Sequence, residues 1–380
     1  MIPMNISINR IWYKVILIYL SSKVYQAIFV YWGHAVRGPA PPRGWEGVNK
    51  WILNPWTTYD SQWYLEIASK GYSKVSATFF PLYPLLLKFC GNSEVTRAFA
   101  GVIISNLAFL LALYFLYRLS RLDFPEETAW TTVWIAAFFP TAAFFGAVYT
   151  ESLFFLLLLL TFYVARKSNW MSAGICGALA GATRNPAPVI FISLLVEYFY
   201  QLNYNVQRIK LKPILCICFV LSGFVGYMLY LYWRFGDPFL TITSHKYFYR
   251  GSAWPWEAVV KDTLDFITGR GMDIVTMFNL LSAVFFLYFP LKYYKIFRPS
   301  YLLIPVAIAI MLLMNPRVPP PHTIGALRFA SVLFPLLQML AISYTNFSQR
   351  SEVIKYLAFA SYLMLNAAFS YMFGLKNFIS

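Results

Sequence analysis

Uninterrupted apolar runs constrain this chain more than any other feature. Val102 to Tyr117 and Leu153 to Val164 carry no charged residue, and about 20 mostly apolar residues suffice to cross a bilayer. Such runs recur along the chain, so that 59% of its 380 residues are hydrophobic and 12% are charged, a balance foreign to soluble domains. In hydrocarbon every backbone N–H and C=O needs a partner within the chain, and a helix supplies it locally. The expected fold class is an all-α polytopic membrane protein.

Helices are expected at about 11–31, 97–117, 129–148, 151–165, 213–233, 273–291, 300–315, 329–345 and 354–373, with a short Pro-punctuated segment at 79–90. Residues 171–183 and 186–200 are each short for a crossing and meet at Thr183-Arg184-Asn185-Pro186. A polar break of this kind is tolerated at membrane depth where protein covers it or where it lines a cavity. The sum is roughly ten crossings in a single integral membrane domain over 1–380. Two large loops interrupt it, at 33–77 and 234–272, and Pro39-Ala40-Pro41-Pro42 in the first excludes regular structure there.

The short loops give the orientation. Arg118/Arg121, Arg166/Lys167, Arg208/Lys210/Lys212, Lys292/Lys295/Arg298 and Arg350/Lys355 fall on one side, which the positive-inside rule makes cytoplasmic. Both large loops then face outward, together with the junction Tyr149-Thr150-Glu151-Ser152, the Arg184 break and the Arg328 region. The net charge of +16 is dispersed among apolar helices, which suits anionic lipid head groups or a phosphate-bearing substrate and excludes nucleic acid.

The first loop holds the most informative stretch, Thr57 to Tyr72. It reads as a short amphipathic helix with Thr58 as N-cap and Gly71 as stop. Trp63, Tyr64, Ile67 and Ala68 share one face, suited to anchoring the loop in lipid or stacking on sugars. Glu66 has Lys70 four residues on, the order that favours a helical ion pair. Asp60 has no such local cation. It either starts the helix or serves as a general base, since the helix dipole favours its ionised form.

On the same predicted face lie Glu151, Arg184, Asp237, His245, Arg250 and Arg328. A charge near a membrane helix end points to function because burying it alone is costly. Arg184 and Arg328 could each hold a phosphate through the forked guanidinium. Against these stand plainer readings: Glu151 pairing with Arg184, Arg328 as a snorkelling anchor, Asp237 as the turn residue of Gly236-Asp237-Pro238, and His245 and Arg250 as solvated loop residues. The four cysteines form no CxxC, the three histidines are far apart, and HExxH, Walker A and GxSxG motifs are absent, so no metal site or cofactor is expected. Gly177-Ala178-Leu179-Ala180-Gly181 reads as a helix-packing surface.

Six blocks occur in order: Tyr-Asp-Ser-Gln-Trp-Tyr-Leu-Glu-Ile-Ala-Ser-Lys-Gly-Tyr at 59–72, Phe-Phe-Pro-Leu-Tyr-Pro at 79–84, Tyr-Thr-Glu-Ser at 149–152, Ala-Thr-Arg-Asn-Pro at 182–186, Gly-Asp-Pro at 236–238 and Arg-Phe at 328–329. Together they resemble the PIG-V-like mannosyltransferases of the GT-C glycosyltransferase superfamily. The resemblance implies a GT-C-type bundle, a polyprenyl-phosphate sugar donor as co-substrate, a lipid-linked or glycan acceptor, and transfer on the extracytoplasmic side. It carries the catalytic base onto Asp60 and places Glu151 and Arg184 in matching blocks. Tyr59 stands where the family usually has Trp, and Asn185-Pro186 departs from the usual continuation after the Arg. The competing classes are a transporter or flippase, which would show internal repeats that this chain lacks, and a noncatalytic scaffold. The compact loops suit the plasma membrane of a prokaryote; in a eukaryote the endoplasmic reticulum is expected.

Overall fold

The computed structural model describes residues 8–37, 51–269, 274–318, 322–323, 325–348 and 351–375. The Pro39 to Pro42 stretch lies outside them. The described residues are helical, with one isolated bridge between Arg250 and Arg317. Five helices are long and apolar enough to cross a bilayer: Ile8–Arg37, Glu94–Ser120, Leu211–Phe235, Ile274–Lys292 and Glu352–Gly374. Shorter apolar helices pack among them, namely Glu151–Ala165, Trp170–Gly181, Ala187–Gln201 and Pro299–Leu313, the first of these almost wholly buried. The chain is an all-α polytopic membrane protein.

Two expected helices are broken, each at a proline. The 129–148 segment is a helix only over Glu126–Ala137, followed by a tight 3-10 turn at Ala142–Gly146. Pro140 has no N–H to continue the ladder and disfavours helical backbone in the residue before it. The carbonyls left open at that helix end are taken up by side chains from elsewhere. Gln26 donates to Ala137 O at 2.8 Å, Asn366 to Phe139 O at 2.6 Å, and Tyr362 to Ile135 O at 2.8 Å. Asn106 and Ser152 donate to Gly146 O and Phe145 O. The irregular segment therefore survives inside the bundle because protein groups replace the missing water. Pro335 similarly divides the 329–345 segment into Ala326–Ala330 and Phe334–Ser348.

The second loop contains a helix that the sequence reading left as loop, Pro255–Ile267. Pro255 suits the first helical position, and the Glu257 carboxylate accepts from Trp254 N at 3.1 Å. Ala258 and Asp262 are buried on one face while Trp256, Val260, Leu264 and Ile267 are exposed on another. The spacing of those residues carried the signal, which the surrounding prolines and tryptophans obscured.

Glycines set how closely helices approach. Val220 lies against Gly177 and Ala187 against Gly181, which bears out the packing reading of that stretch. A Cβ on Gly223 would collide with the Ala178 carbonyl oxygen, whereas one on Gly226 would meet nothing within 4 Å. Gly223→Val should therefore destabilise the protein by about 1–3 kcal/mol through overpacking, with Gly226→Val as the control that loses much less. Thermal unfolding in detergent compares the two; equal losses would contradict the backbone contact.

Candidate active site

Asp60 opens the helix Asp60–Lys70, and Gly71 ends it at φ 82°, as expected. Thr58 is not the cap. Tyr59 occupies that position at φ 49° and ψ −115° with no side-chain cap, a conformation that favours glycine. The Glu66–Lys70 pair forms on the exposed side at 3.6 Å.

The Trp63 and Tyr64 face turns inward rather than onto lipid. Tyr64 is buried edge-on against Phe79 and Tyr83, with centroids at 5.2 and 5.4 Å. Trp63 stacks on Phe79 at 5.8 Å and meets Phe248 of the second loop at 5.6 Å. An amphipathic face cannot reveal from sequence whether lipid or protein will cover it, and here protein does.

Asp60 and Glu151 are joined by Arg328. Its Nη1 donates to Asp60 Oδ2 at 2.7 Å and its Nε donates to Glu151 Oε1 in a short contact. Arg184 Nη1 donates to the same Glu151 oxygen at 2.6 Å. Glu151 is fully buried, while the Asp60 side chain keeps 27% of its exposure. The Arg328 guanidinium lies over the rings of Tyr149 and Phe144, at 4.7 and 4.9 Å, and Arg184 lies over Phe329 at 4.5 Å. Arg328 is thus buried between two carboxylates, which corrects the snorkelling reading. The expected Glu151–Arg184 pair is present as half of a larger network.

Asp60, Arg184 and Arg328 line a cavity of about 540 Å³. Trp63, Phe79 and Phe248 form an aromatic wall, and His245, Arg250, Asn315 and Arg317 approach from the two outer segments. Those segments are laced together: Val318 N donates to Tyr249 O at 2.6 Å, Gly251 N to Pro316 O at 2.9 Å, and Arg250 Nη1 to Asn315 O at 3.0 Å. Burial lowers the Arg250 pKa to about 10, opposed by the Asp60 charge. Burial, aided by Arg250, lowers that of His245 to about 4, so its ring is neutral, with Nε2 at 3.2 Å from Thr78 Oγ1. The solvated-loop reading of these two residues is therefore replaced by a place in the cavity wall. Arg317 was missed by the sequence reading; its only signal was a basic residue in a Pro-rich loop on the predicted outer face.

Asp237 is outside the cavity lining. Its carboxylate accepts from Phe239 N at 2.8 Å and caps a turn. A different trio, Asp262, Asp265 and His322, brings one potential metal-ligand atom each to within 4.8 Å of one another. Asp262 is already engaged there, accepting from His322 N, Thr323 N and Thr323 Oγ1 at 2.6–2.7 Å.

No protein-family model and no curated protein matches the chain. Among solved structures it is similar to ArnT from Cupriavidus metallidurans bound to undecaprenyl phosphate, at 13% identity and a TM-score of 0.49, over 95% of this chain and 76% of that one. It is also similar to the oligosaccharyltransferase AglB from Archaeoglobus fulgidus in complex with an inhibitory peptide and a dolichol-phosphate, at 13% identity and a TM-score of 0.46. That match covers 95% of this chain and 56% of the archaeal one.

Two outcomes follow from the geometry. Glu151→Ala takes from Arg184 its carboxylate partner and leaves Arg328 with Asp60 alone, and should cost about 3–5 kcal/mol, whereas Glu66→Ala, on an exposed pair, should cost under about 1 kcal/mol; unfolding in detergent measures both. Burial holds the folded pKa of His245 below the ordinary 6.5 of an exposed imidazole. Between pH 6.5 and about 4 the unfolded chain therefore binds a proton that the folded chain does not, and stability falls on acidification through that window. Melting temperatures across it should drop more steeply for the wild type than for His245→Gln, and parallel curves would contradict a buried neutral imidazole.

Proposed function

We propose that this chain is a GT-C-type glycosyltransferase. It transfers a mannosyl or other hexosyl residue from a polyprenyl-phosphate donor to a hydroxyl of a lipid-linked or glycan acceptor, on the extracytoplasmic face of the membrane. The observation that carries this reading is Asp60: a carboxylate held by a buried arginine, still open to a cavity that also presents Arg184, Arg250 and Arg317. The six sequence blocks that resemble PIG-V-like mannosyltransferases support the choice of mannose.

The chemistry is one inverting displacement. The Asp60 carboxylate takes the proton of the acceptor hydroxyl as that oxygen attacks the anomeric carbon. The bond from that carbon to the phosphate oxygen breaks, and its electron pair leaves with the polyprenyl phosphate. Arg328, donating to Asp60 Oδ2, fixes the direction of the carboxylate. Arg250 and Arg317 line the same cavity and bring positive charge to the departing phosphate, while Arg184 and Arg328 are held by Glu151 and Asp60. Arg184 and Arg328 add to the field from behind the carboxylates, and Glu151 serves as their anchor. Trp63 and its aromatic neighbours offer flat faces to a sugar ring, while His245 contributes a neutral hydrogen-bonding group. Asp237 takes no part.

The test uses purified protein in vesicles, radiolabelled polyprenyl-phosphate mannose and a lipid extract of the source cells. The wild type should form a labelled product, and Asp60→Asn should lower the rate by roughly 10²–10⁴-fold. Arg250→Gln and Arg317→Gln should lower kcat as well as raise KM for the donor, because their charge meets the phosphate as it departs. Equal transfer by Asp60→Asn would remove Asp60 from the base role. Label crossing the bilayer with no product formed would establish a transporter instead.

A further inference from the structure

We infer that Tyr149 is the positioning residue for Asp60, acting through its hydroxyl on the start of the Asp60 helix and through its ring on Arg328. The inference rests on Asp60 being the base proposed above.

The ring of Tyr149 is buried and does not line the cavity, so it touches no substrate. Its hydroxyl donates to Thr58 O at 3.0 Å and accepts from the Asp60 backbone N–H at 3.3 Å. The first amides of a helix lack partners within it, and a capping side chain just upstream normally supplies one. None does so here. Tyr59 instead turns the chain sharply into the helix at a positive φ. A tyrosine 89 residues away in sequence stands in for the missing cap and braces both sides of the turn.

The same side chain reaches the other half of the ion pair. The Arg328 guanidinium rests on its ring face at 4.7 Å, where the negative quadrupole favours a cation. The two residues that follow continue the arrangement: Thr150 Oγ1 lies 3.2 Å from the Tyr64 hydroxyl, and Glu151 accepts from Arg328. Three successive residues therefore hold the helix, the base and the arginine in one register. An error of about 1 Å at a reacting group is enough to cost on the order of a hundredfold in rate.

Tyr149→Phe keeps the ring and removes only the hydroxyl. In the transfer assay with polyprenyl-phosphate mannose it should lower kcat roughly ten- to a hundredfold with KM for the donor little changed. Hydrogen exchange should quicken in the peptide covering residues 57–64 and in no other core peptide. In the Asp60→Asn background the same substitution should have little further effect, because the group it positions is gone.

The outcomes separate the two readings. If Asp60→Asn retains wild-type activity, the base assignment fails, and this inference fails with it. If Asp60→Asn is impaired but Tyr149→Phe keeps wild-type kcat, only the positioning role is overturned. A loss as large in the Asp60→Asn background as in the wild type, or a rise in KM with kcat unchanged, also overturns it. Should Tyr149→Phe fail to fold, Tyr59→Gly combined with it relieves the positive-φ turn and is expected to restore folding with part of kcat. A folded double variant lacking any fast exchange at 57–64 and showing full kcat would overturn the role.

Discussion

The site depends on one guanidinium. Arg328 is bonded to Asp60 and Glu151 at once, and without it two carboxylates would face each other and the apolar interior with only Arg184 between them. A buried ionic network gains little stability over apolar packing of the same volume, while removing one member is costly. What this network provides is geometry. It holds a carboxylate at the edge of a cavity, in a direction fixed by the planar fork of the arginine.

The fold supplies that geometry by breaking helices. Pro140 ends one helix early, and the freed carbonyls are met by Gln26, Asn366 and Tyr362 from the first and last membrane helices. The chain can then turn within the bundle and deliver Tyr149, Thr150 and Glu151 in succession. Glu151 begins a helix whose other end is closed by Arg166, paired with Asp123 at 2.5 Å. The Asp60 cavity and this second charged cluster thus lie toward opposite ends of one apolar helix. Just beyond the first loop, Leu82 N donates to Ala182 O at 2.9 Å. That bond ties the Phe-Phe-Pro-Leu block to the segment that carries Arg184.

Much of this was legible locally. Apolar runs gave the helix class and most helix positions; Gly71 gave the end of the Asp60 helix; Glu151 and Arg184 stood out as charges at helix ends. What was illegible depends on contacts between distant residues. The Asp60–Arg328 pair spans 268 residues, so Asp60 looked unpaired and Arg328 looked like a surface anchor. Tyr64 and Trp63 form an apolar face whether lipid or protein covers it. Arg317 becomes part of the cavity only because its segment pairs with that of Arg250. Pro140 was visible but was absorbed into an otherwise continuous apolar run.

A single displacement driven by Asp60 makes one chemical demand that no bound enzyme intermediate could satisfy. The purified protein in vesicles would be given a donor of defined anomeric configuration, and the configuration of the product would be read from its C1–H1 coupling by NMR. Inversion is expected, with the acceptor oxygen arriving opposite the departing phosphate. Retention would require two successive displacements through a glycosylated side chain and would contradict the role given to Asp60.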